Sequence, residues 1–155
     1  MSGKIIIVGA TGYTGSALAK LLKQENIDCH LVGRNESELE KLASEIGQSF
    51  SVCSNVSDEQ SVSESLSSIA NDKIIGLAYC VGSIVLKSFQ TTKTDDFINT
   101  FNLNVTGAIH FIKKIQKQLA DNNGSIVLFS TVAVDRGFNM HSVISTAKEI
   151  GRAHV

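Results

Sequence analysis

The chain has no proline, only three cysteines, no long apolar run and no excess of either charge. The missing proline, where average composition suggests several, carries no functional information. The longest apolar run, Ile5–Ala10, is far too short to span a bilayer. It also fails as a signal-peptide core: Lys4 is the only charge before it, and Gly9-Ala10-Thr11-Gly12 closes it at once. A buried strand fits it better. Net charge is −1 with both signs scattered, so the basic stripe of a nucleic-acid binder is missing. Cys29, Cys53 and Cys80 stand singly in or beside apolar runs, without metal-ligand spacing, and their odd number argues against a disulfide framework. Buried, reduced thiols of a cytoplasmic protein are the expectation. His30 and His110 are expected in apolar surroundings, and no cluster suggests a metal.

What is present fits one ordinary domain. A chain of 155 residues with 43% apolar content can bury a real core. Strand-like runs at Lys4–Val8, Cys29–Val32, Phe50–Cys53, Ile74–Cys80 and Ser125–Phe129 alternate with helical spacing. The helical segments are Thr14–Gln24, Glu36–Ile46, Asp58–Ala70 and Asp95–Leu119, with a fifth starting near Ser142. Asn35 with Glu38 has the pattern of a capping box, and Thr94 precedes Asp95 and Asp96 in a first turn. Alternation of this kind predicts an α/β fold, a doubly wound parallel sheet with helices on both faces and ligands at the strands' carboxyl ends. The Ser-rich stretch from Ser51 to Ser68 keeps apolar spacing at Val56, Val62, Leu66 and Ile69, which predicts a solvated helix face. No internal repeat or linker interrupts the chain.

The first strand runs into Gly9-Ala10-Thr11-Gly12-Tyr13-Thr14-Gly15, and a helix opens immediately. Glycines at 9, 12 and 15 allow a tight turn, close approach of backbone to a pyrophosphate, and close helix–strand packing. The helix N-terminus adds free N–H groups and a positive dipole end. A glycine trio alone is weak; its strand–helix context makes nucleotide binding the expectation. The second strand ends at Arg34-Asn35, where an acidic residue would take the ribose hydroxyls of NAD(H). Arginine suits a 2′-phosphate instead, so NADP(H) is favoured over NAD(H). A solvated Arg34 at a helix start, and Glu36 nearby, keep both cofactors in view.

With these residues in place, the chain resembles the short-chain dehydrogenase/reductase family, a Rossmann fold, over nearly its whole length. The loop matches variants that carry Gly-Ala-Thr-Gly-x-x-Gly, with Tyr13 where many members have glycine. Asn55-Val56 falls where the family has an Asp-Val that contacts adenine, and the Asn55 side-chain oxygen can still accept from the adenine amine. Tyr79-Cys80-Val81-Gly82 takes the place of Asn-Asn-Ala-Gly, with only Gly82 retained. Asn104-Val105-Thr106-Gly107 resembles the motif whose asparagine supports a proton-relay water; an asparagine that bonds its own helix backbone is the alternative. Ser125–Thr131 resembles the strand that ends in the catalytic serine, which makes Thr131 the corresponding hydroxyl.

Lys148 falls at the family's active-site lysine, whereas the tyrosine four residues earlier is Ile144. The two positions share a helix face, which argues against a slipped register. In ordinary members the tyrosine gives a proton to the carbonyl, and the lysine lowers its pKa while holding the nicotinamide ribose. Isoleucine can do neither, and an aliphatic hydroxyl such as Thr131 is too weak an acid to replace a phenol. A subgroup of the family is similar here, with a histidine near 141 and Ala-Lys at the end. His141 is expected to be a surface or capping residue, with a substitute acid as the alternative.

The resemblance makes residues 1–148 an incomplete NAD(P)-binding domain, cut after the fifth strand. Glu149–Val155 do not resemble the family's continuation, and they match a translated sequencing adapter, GAG ATC GGA AGA GCA CAC GTC. A non-native tail is the expectation. A sheet that stops there leaves an open edge.

For the complete protein, the resemblance implies an oxidoreductase acting on a small carbonyl or alcohol, with no nucleic-acid or membrane partner, assembled as a homo-oligomer. Expected cofactor contacts are Gly9, Thr11, Gly12, Tyr13, Thr14, Gly15, Arg34, Asn35, Asn55, Val56, Gly82 and Lys148. Asn104, Thr131 and Lys148 are the expected catalytic residues. A catalytically silent NAD(P)-binding sensor or scaffold is the rival, favoured by Ile144. An enzyme resembling sugar-nucleotide epimerases is a third reading, but it too requires the missing tyrosine.

Overall fold

The computed structural model describes residues 3–149. Five parallel strands form one sheet: β1 (Lys4–Val8), β2 (Cys29–Gly33), β3 (Ser49–Val52), β4 (Ile74–Tyr79) and β5 (Ser125–Leu128). Their spatial order is β3-β2-β1-β4-β5. The helices are α1 (Tyr13–Gln24), α2 (Glu36–Ile46), α3 (Glu59–Ser65), α4 (Thr94–Phe101), α5 (Gly107–Asp121) and α6 (Ser142–Lys148). The chain builds outward from β1 to β3, then returns to place β4 on the other side of β1. Strand order therefore reverses between β1 and β4, where the connections diverge and open a crevice.

Each face of the sheet buries its own core. On one face, Ile7 and Leu31 pack with Ala19 and Leu22 of α1 and with Leu39, Leu42 and Ile46 of α2. On the other, Ile6, Val8 and Leu77 pack with Val62 of α3 and with Phe111, Ile115 and Leu119 of α5. Burying one such side chain contributes about 1.5–3 kcal/mol, so the two layers dominate the fold's stability. The expected apolar positions of the Ser-rich stretch, Val56, Val62, Leu66 and Ile69, are all buried. Strand β5 pairs with β4 alone among the described residues, and it exposes Ile126 and Val127. The expected junction at Glu149 falls, from residue 150 onward, outside the described residues.

The expected helix over Asp58–Ala70 is shorter in the structure: α3 ends at Ser65 and a 3-10 turn spans Ser67–Ile69. Ser65 and Ser67 donate their hydroxyls to the carbonyls of Val62 and Glu64, competing with the backbone ladder. The expected single helix over Asp95–Leu119 is two helices joined by a π-helical turn at Asn102–Thr106. Its N-cap is Lys93 rather than Thr94, because Asp96 accepts from the Lys93 N–H at 2.9 Å. In the Asn35–Glu38 pair, the Asn35 side chain accepts from the Glu38 N–H at 3.3 Å.

His30, expected in apolar surroundings, lies fully buried in β2 between two hydroxyls of β3. The Ser51 hydroxyl donates to the Ser65 carbonyl, so its oxygen must accept from His30 Nε2 at 2.8 Å. Nδ1 of the neutral ring then accepts from Ser49 at 2.8 Å. Burial, with Lys4 nearby, lowers the His30 pKa to about 4. Cys29 and Cys53 are buried free thiols, whereas Cys80 is only half-buried.

Candidate active site

The phosphate-loop glycines owe their places to close backbone approach. Gly9 turns the chain off β1 at φ +78°, and a Cβ there would stand 3.1 Å from the backbone of Val81. A Cβ on Gly15 would overlap the Gly9 carbonyl and lie 2.8 Å from Ala10 Cα, so only glycine lets α1 rest on the end of β1. Gly12 occupies the N-cap of α1 without a side chain to cap it. The first-turn N–H groups are left to an outside acceptor, as in an anion site. The Tyr13 side chain is 94% exposed and does not line the loop's cavity.

From this loop a cleft of about 600 Å³ follows the strands' carboxyl ends. Gly9, Thr11 and Gly12 form one wall; Arg34 and Asn35 close it beyond β2. Arg34 is exposed and makes no ion pair among the described residues. Glu38 lines the same end, whereas Glu36, the acidic residue that clouds the cofactor preference in sequence, does not. Asn55 and Val56 line the cleft beyond β3, with the Asn55 side-chain oxygen accepting from the Ser57 N–H at 3.0 Å. A carbonyl oxygen keeps a second lone pair for a ligand.

A second cavity of about 320 Å³ adjoins the cleft through Cys80, Val81, Gly82 and Ser83. Thr14, Thr131, His141, Ile144 and Lys148 line it. Of the remaining expected residues, Gly15 packs beneath the loop and touches neither cavity, and Asn104 lies behind Gly82. A Cβ on Gly82 would stand 3.1 Å from Asn104 Oδ1 and 3.2 Å from Lys148 Nζ, so both atoms face one small space. Asn104 is buried and donates from Nδ2 to the Thr100 carbonyl at 2.8 Å, yet its Oδ1 has no partner among the described residues. The Nδ2 bond to its own helix backbone is the second of the two sequence alternatives, and Oδ1 is the atom that the first would use. Burial lowers the Lys148 pKa, and Ser130 donates to the Lys148 carbonyl at 3.1 Å. Burial pushes the Cys80 thiol up to about 11, which keeps it protonated beside that lysine.

Ile144 is buried in the cavity wall on the same helix as Lys148. His141 stands at the N-cap of α6, but its side chain does not cap the helix. Its Nδ1 lies 2.7 Å from the Asn139 carbonyl, which can only accept, so Nδ1 carries the proton and Nε2 is the free nitrogen. Thr131 Oγ1 accepts from the Ala133 N–H at 3.3 Å and retains its own hydroxyl proton to donate.

The short chain dehydrogenase family model matches residues 3–153. The chain belongs to that family. Serine 3-dehydrogenase of Agrobacterium fabrum is 30% identical over 145 residues, covering 86% of this chain and 55% of that protein. Carbonyl reductase family member 4 of Xenopus laevis is 25% identical over 153 residues, covering 96% of this chain and 64% of that protein. An NAD+-bound xylitol dehydrogenase structure superposes with a TM-score of 0.84 at 28% identity, over 94% of this chain and 59% of that one. The chain thus spans little more than half the length of such short-chain dehydrogenases.

Two residues beside the site have contacts that the sequence did not signal. Ser61 of α3 accepts from the Asn55 N–H at 3.3 Å and lies 3.1 Å from the Ser54 hydroxyl, fixing the cleft wall beyond β3. One serine among many gives no signal of such a role. Tyr79 ends β4 with its hydroxyl 2.6 Å from the Leu103 carbonyl. A lone tyrosine in an otherwise small and aliphatic strand was the available clue. Among the described residues, no group of three or more His, Cys, Asp or Glu is placed to hold a metal, and no helix is long and apolar enough to cross a membrane.

Proposed function

We propose that this chain is the cofactor-binding part of an oxidoreductase that interconverts a small carbonyl and an alcohol with NADP(H), in preference to NAD(H). The observation that carries the reading is the continuous path from Arg34, past the glycine loop, to the cavity holding Thr131 and Lys148. The residues fit such a cofactor: the uncapped α1 terminus suits a pyrophosphate, and the unpaired Arg34 suits a 2′-phosphate. In this reading Gly9, Thr11, Gly12, Thr14 and the Tyr13 backbone hold the pyrophosphate, with Gly15 shaping the loop. Arg34 and Asn35 take the adenosine phosphate, Asn55 and Val56 the adenine, and Gly82 and Lys148 the nicotinamide end. When bound, the nicotinamide supplies or accepts the hydride. Thr131 polarises the substrate oxygen, and Asn104 with Lys148 forms a path for the proton.

The experiment is a titration of NADPH and NADH by fluorescence, with Arg34→Ala beside the parent, followed by a carbonyl panel on the complete protein. A phosphate contact to arginine is worth about ten-fold or more in affinity. Equal affinities for the two cofactors, or no loss in the variant, would overturn the NADP(H) assignment. Cofactor binding without turnover on any substrate would favour the silent sensor, which rests on Ile144. A cytoplasmic homo-oligomer is proposed for the complete protein; Ile98 and Phe101, exposed beside an apolar groove between α4 and α6, support self-association.

A further inference from the structure

The π-helical turn at Asn102–Thr106 lies directly behind the active-site cavity, and the sheet reaches it through one hydroxyl. In an α-helix the Gly107 N–H would donate to the carbonyl of Leu103, four residues back. Here it donates to Asn102, five residues back, which strips Leu103 of its usual partner. The Tyr79 hydroxyl takes that place at 2.6 Å. The phenol reaches the carbonyl only because residue 107 is glycine: a Cβ there would overlap Tyr79 Oη and stand 3.0 Å from Val56. The Tyr79 ring is 2% exposed and packs against Phe111, the first large core residue of α5, at a centroid distance of 6.1 Å. Burial raises the Tyr79 pKa far enough that the hydroxyl remains a donor throughout the working range.

Asn104 sits in the middle of this turn. Its Nδ2 is fixed on the Thr100 carbonyl, so the direction of Oδ1 follows from the register of the turn itself. We propose that Tyr79 is a positioning residue: its hydroxyl, seated in the gap left by Gly107, holds the π register that aims the unpartnered Oδ1 of Asn104 at the space shared with Lys148 Nζ. Tyr79 touches neither cavity. It acts through Asn104, and the inference rests on reading Asn104 and Lys148 as a pair sharing a proton path. Relaxation of the turn to α-helical register would return Leu103 to Gly107 and swing the amide away from Gly82.

The test follows Lys148 itself, so it needs neither substrate nor turnover. An amide oxygen aimed at an ammonium group favours its charged form. Acetylation of Lys148 by acetic anhydride, measured across pH by peptide mass spectrometry on this chain, gives its titration midpoint. Asn104→Ala should lower that midpoint by about one pH unit. Tyr79→Phe and Gly107→Ala should lower it by a similar amount, and Tyr79→Phe combined with Asn104→Ala by no more than Asn104→Ala alone. A midpoint that moves in Asn104→Ala but stays at the parental value in Tyr79→Phe overturns the role of Tyr79 and leaves the pair standing. A midpoint unmoved by Asn104→Ala removes the pair and the proposal with it. Should Tyr79→Phe fail to fold by circular dichroism, Gly107→Ala decides, since it pushes the hydroxyl off the Leu103 carbonyl from the helix side while residue 79 stays a tyrosine.

Discussion

Gly15 rests against Gly9 so closely that a Cβ on the first would overlap the carbonyl of the second. The loop between them is therefore clamped from both ends, and the relationship is open to a direct test. Gly15→Ala should cost about 1–3 kcal/mol of stability, the usual range for overpacking. The same substitution should weaken NADPH binding by displacing the first turn of α1. Urea unfolding with a parallel fluorescence titration checks both effects; an alanine variant as stable as the parent would show that the helix can slide.

The wall beyond β3 depends on Ser61, whose hydroxyl accepts from the Asn55 N–H and bonds the side chain of Ser54. Ser61→Ala should reduce NADPH affinity by about five-fold, the equivalent of one ordinary hydrogen bond. Ser61→Thr keeps the hydroxyl and should restore most of that loss. Isothermal titration of the three proteins separates the outcomes, and equal affinities in all three would remove Ser61 from the site.

His30 gives the fold a defined acid sensitivity. Its ordinary pKa of 6.5 falls to about 4 in the folded state. Between these values the unfolded chain binds the extra proton, so stability is fully present above about pH 6.5 and is lost as pH falls toward 4. The loss attributable to this one ring is about 3 kcal/mol. His30→Gln retains hydrogen-bonding groups without titrating there. Urea midpoints measured from pH 7 to pH 4.5 should fall more steeply for the parent than for the variant; parallel curves would contradict the assignment.

The proton donor is the weakest point of the candidate chemistry, since Ile144 occupies the tyrosine's position and is buried. In the complete protein, Ile144→Tyr should raise carbonyl reduction by about 10²-fold or more, the lower end of general acid catalysis. Lys148 lines the same cavity, where it can depress the phenol's pKa. If His141 already supplies the proton, it does so from Nε2 as an imidazolium, since its Nδ1 proton is held by the Asn139 carbonyl, and His141→Ala should remove a comparable factor from kcat. Rapid parental turnover unaffected by either substitution would exclude both donors.

Much of this architecture was legible in the sequence because local and global signals agree. The apolar runs ending at Val8 and Val32 carry their own turn chemistry, and they form strands with the expected boundaries to within a residue. Glu36–Ile46 is the helix that its cap and apolar spacing predict. Lys148 and Ile144 share a cavity because four residues make one helical turn. What escaped is held by contacts that cross a loop, neighbouring strands or two layers. Ser61 and Asn55 meet across a loop, Ser49 and Ser51 meet His30 across two strands, and Tyr79 meets Leu103 from another layer. Periodicity cannot report such meetings. It also hid the π turn, because one inserted residue leaves the apolar spacing on either side intact.

That inserted residue works as a phase shifter. One residue of helix corresponds to about 100° of rotation, so α4 and α5 present their apolar stripes in different directions although they follow one another without a loop. Phe111, Ile115 and Leu119 of α5 face the sheet, while Phe97 and Phe101 of α4 line the groove against α6. A rod wound without the offset would aim both stripes the same way and leave α6, which carries Lys148, without its neighbour. Winding the turn into α register with no residue lost would therefore disengage a helix that the change never touches.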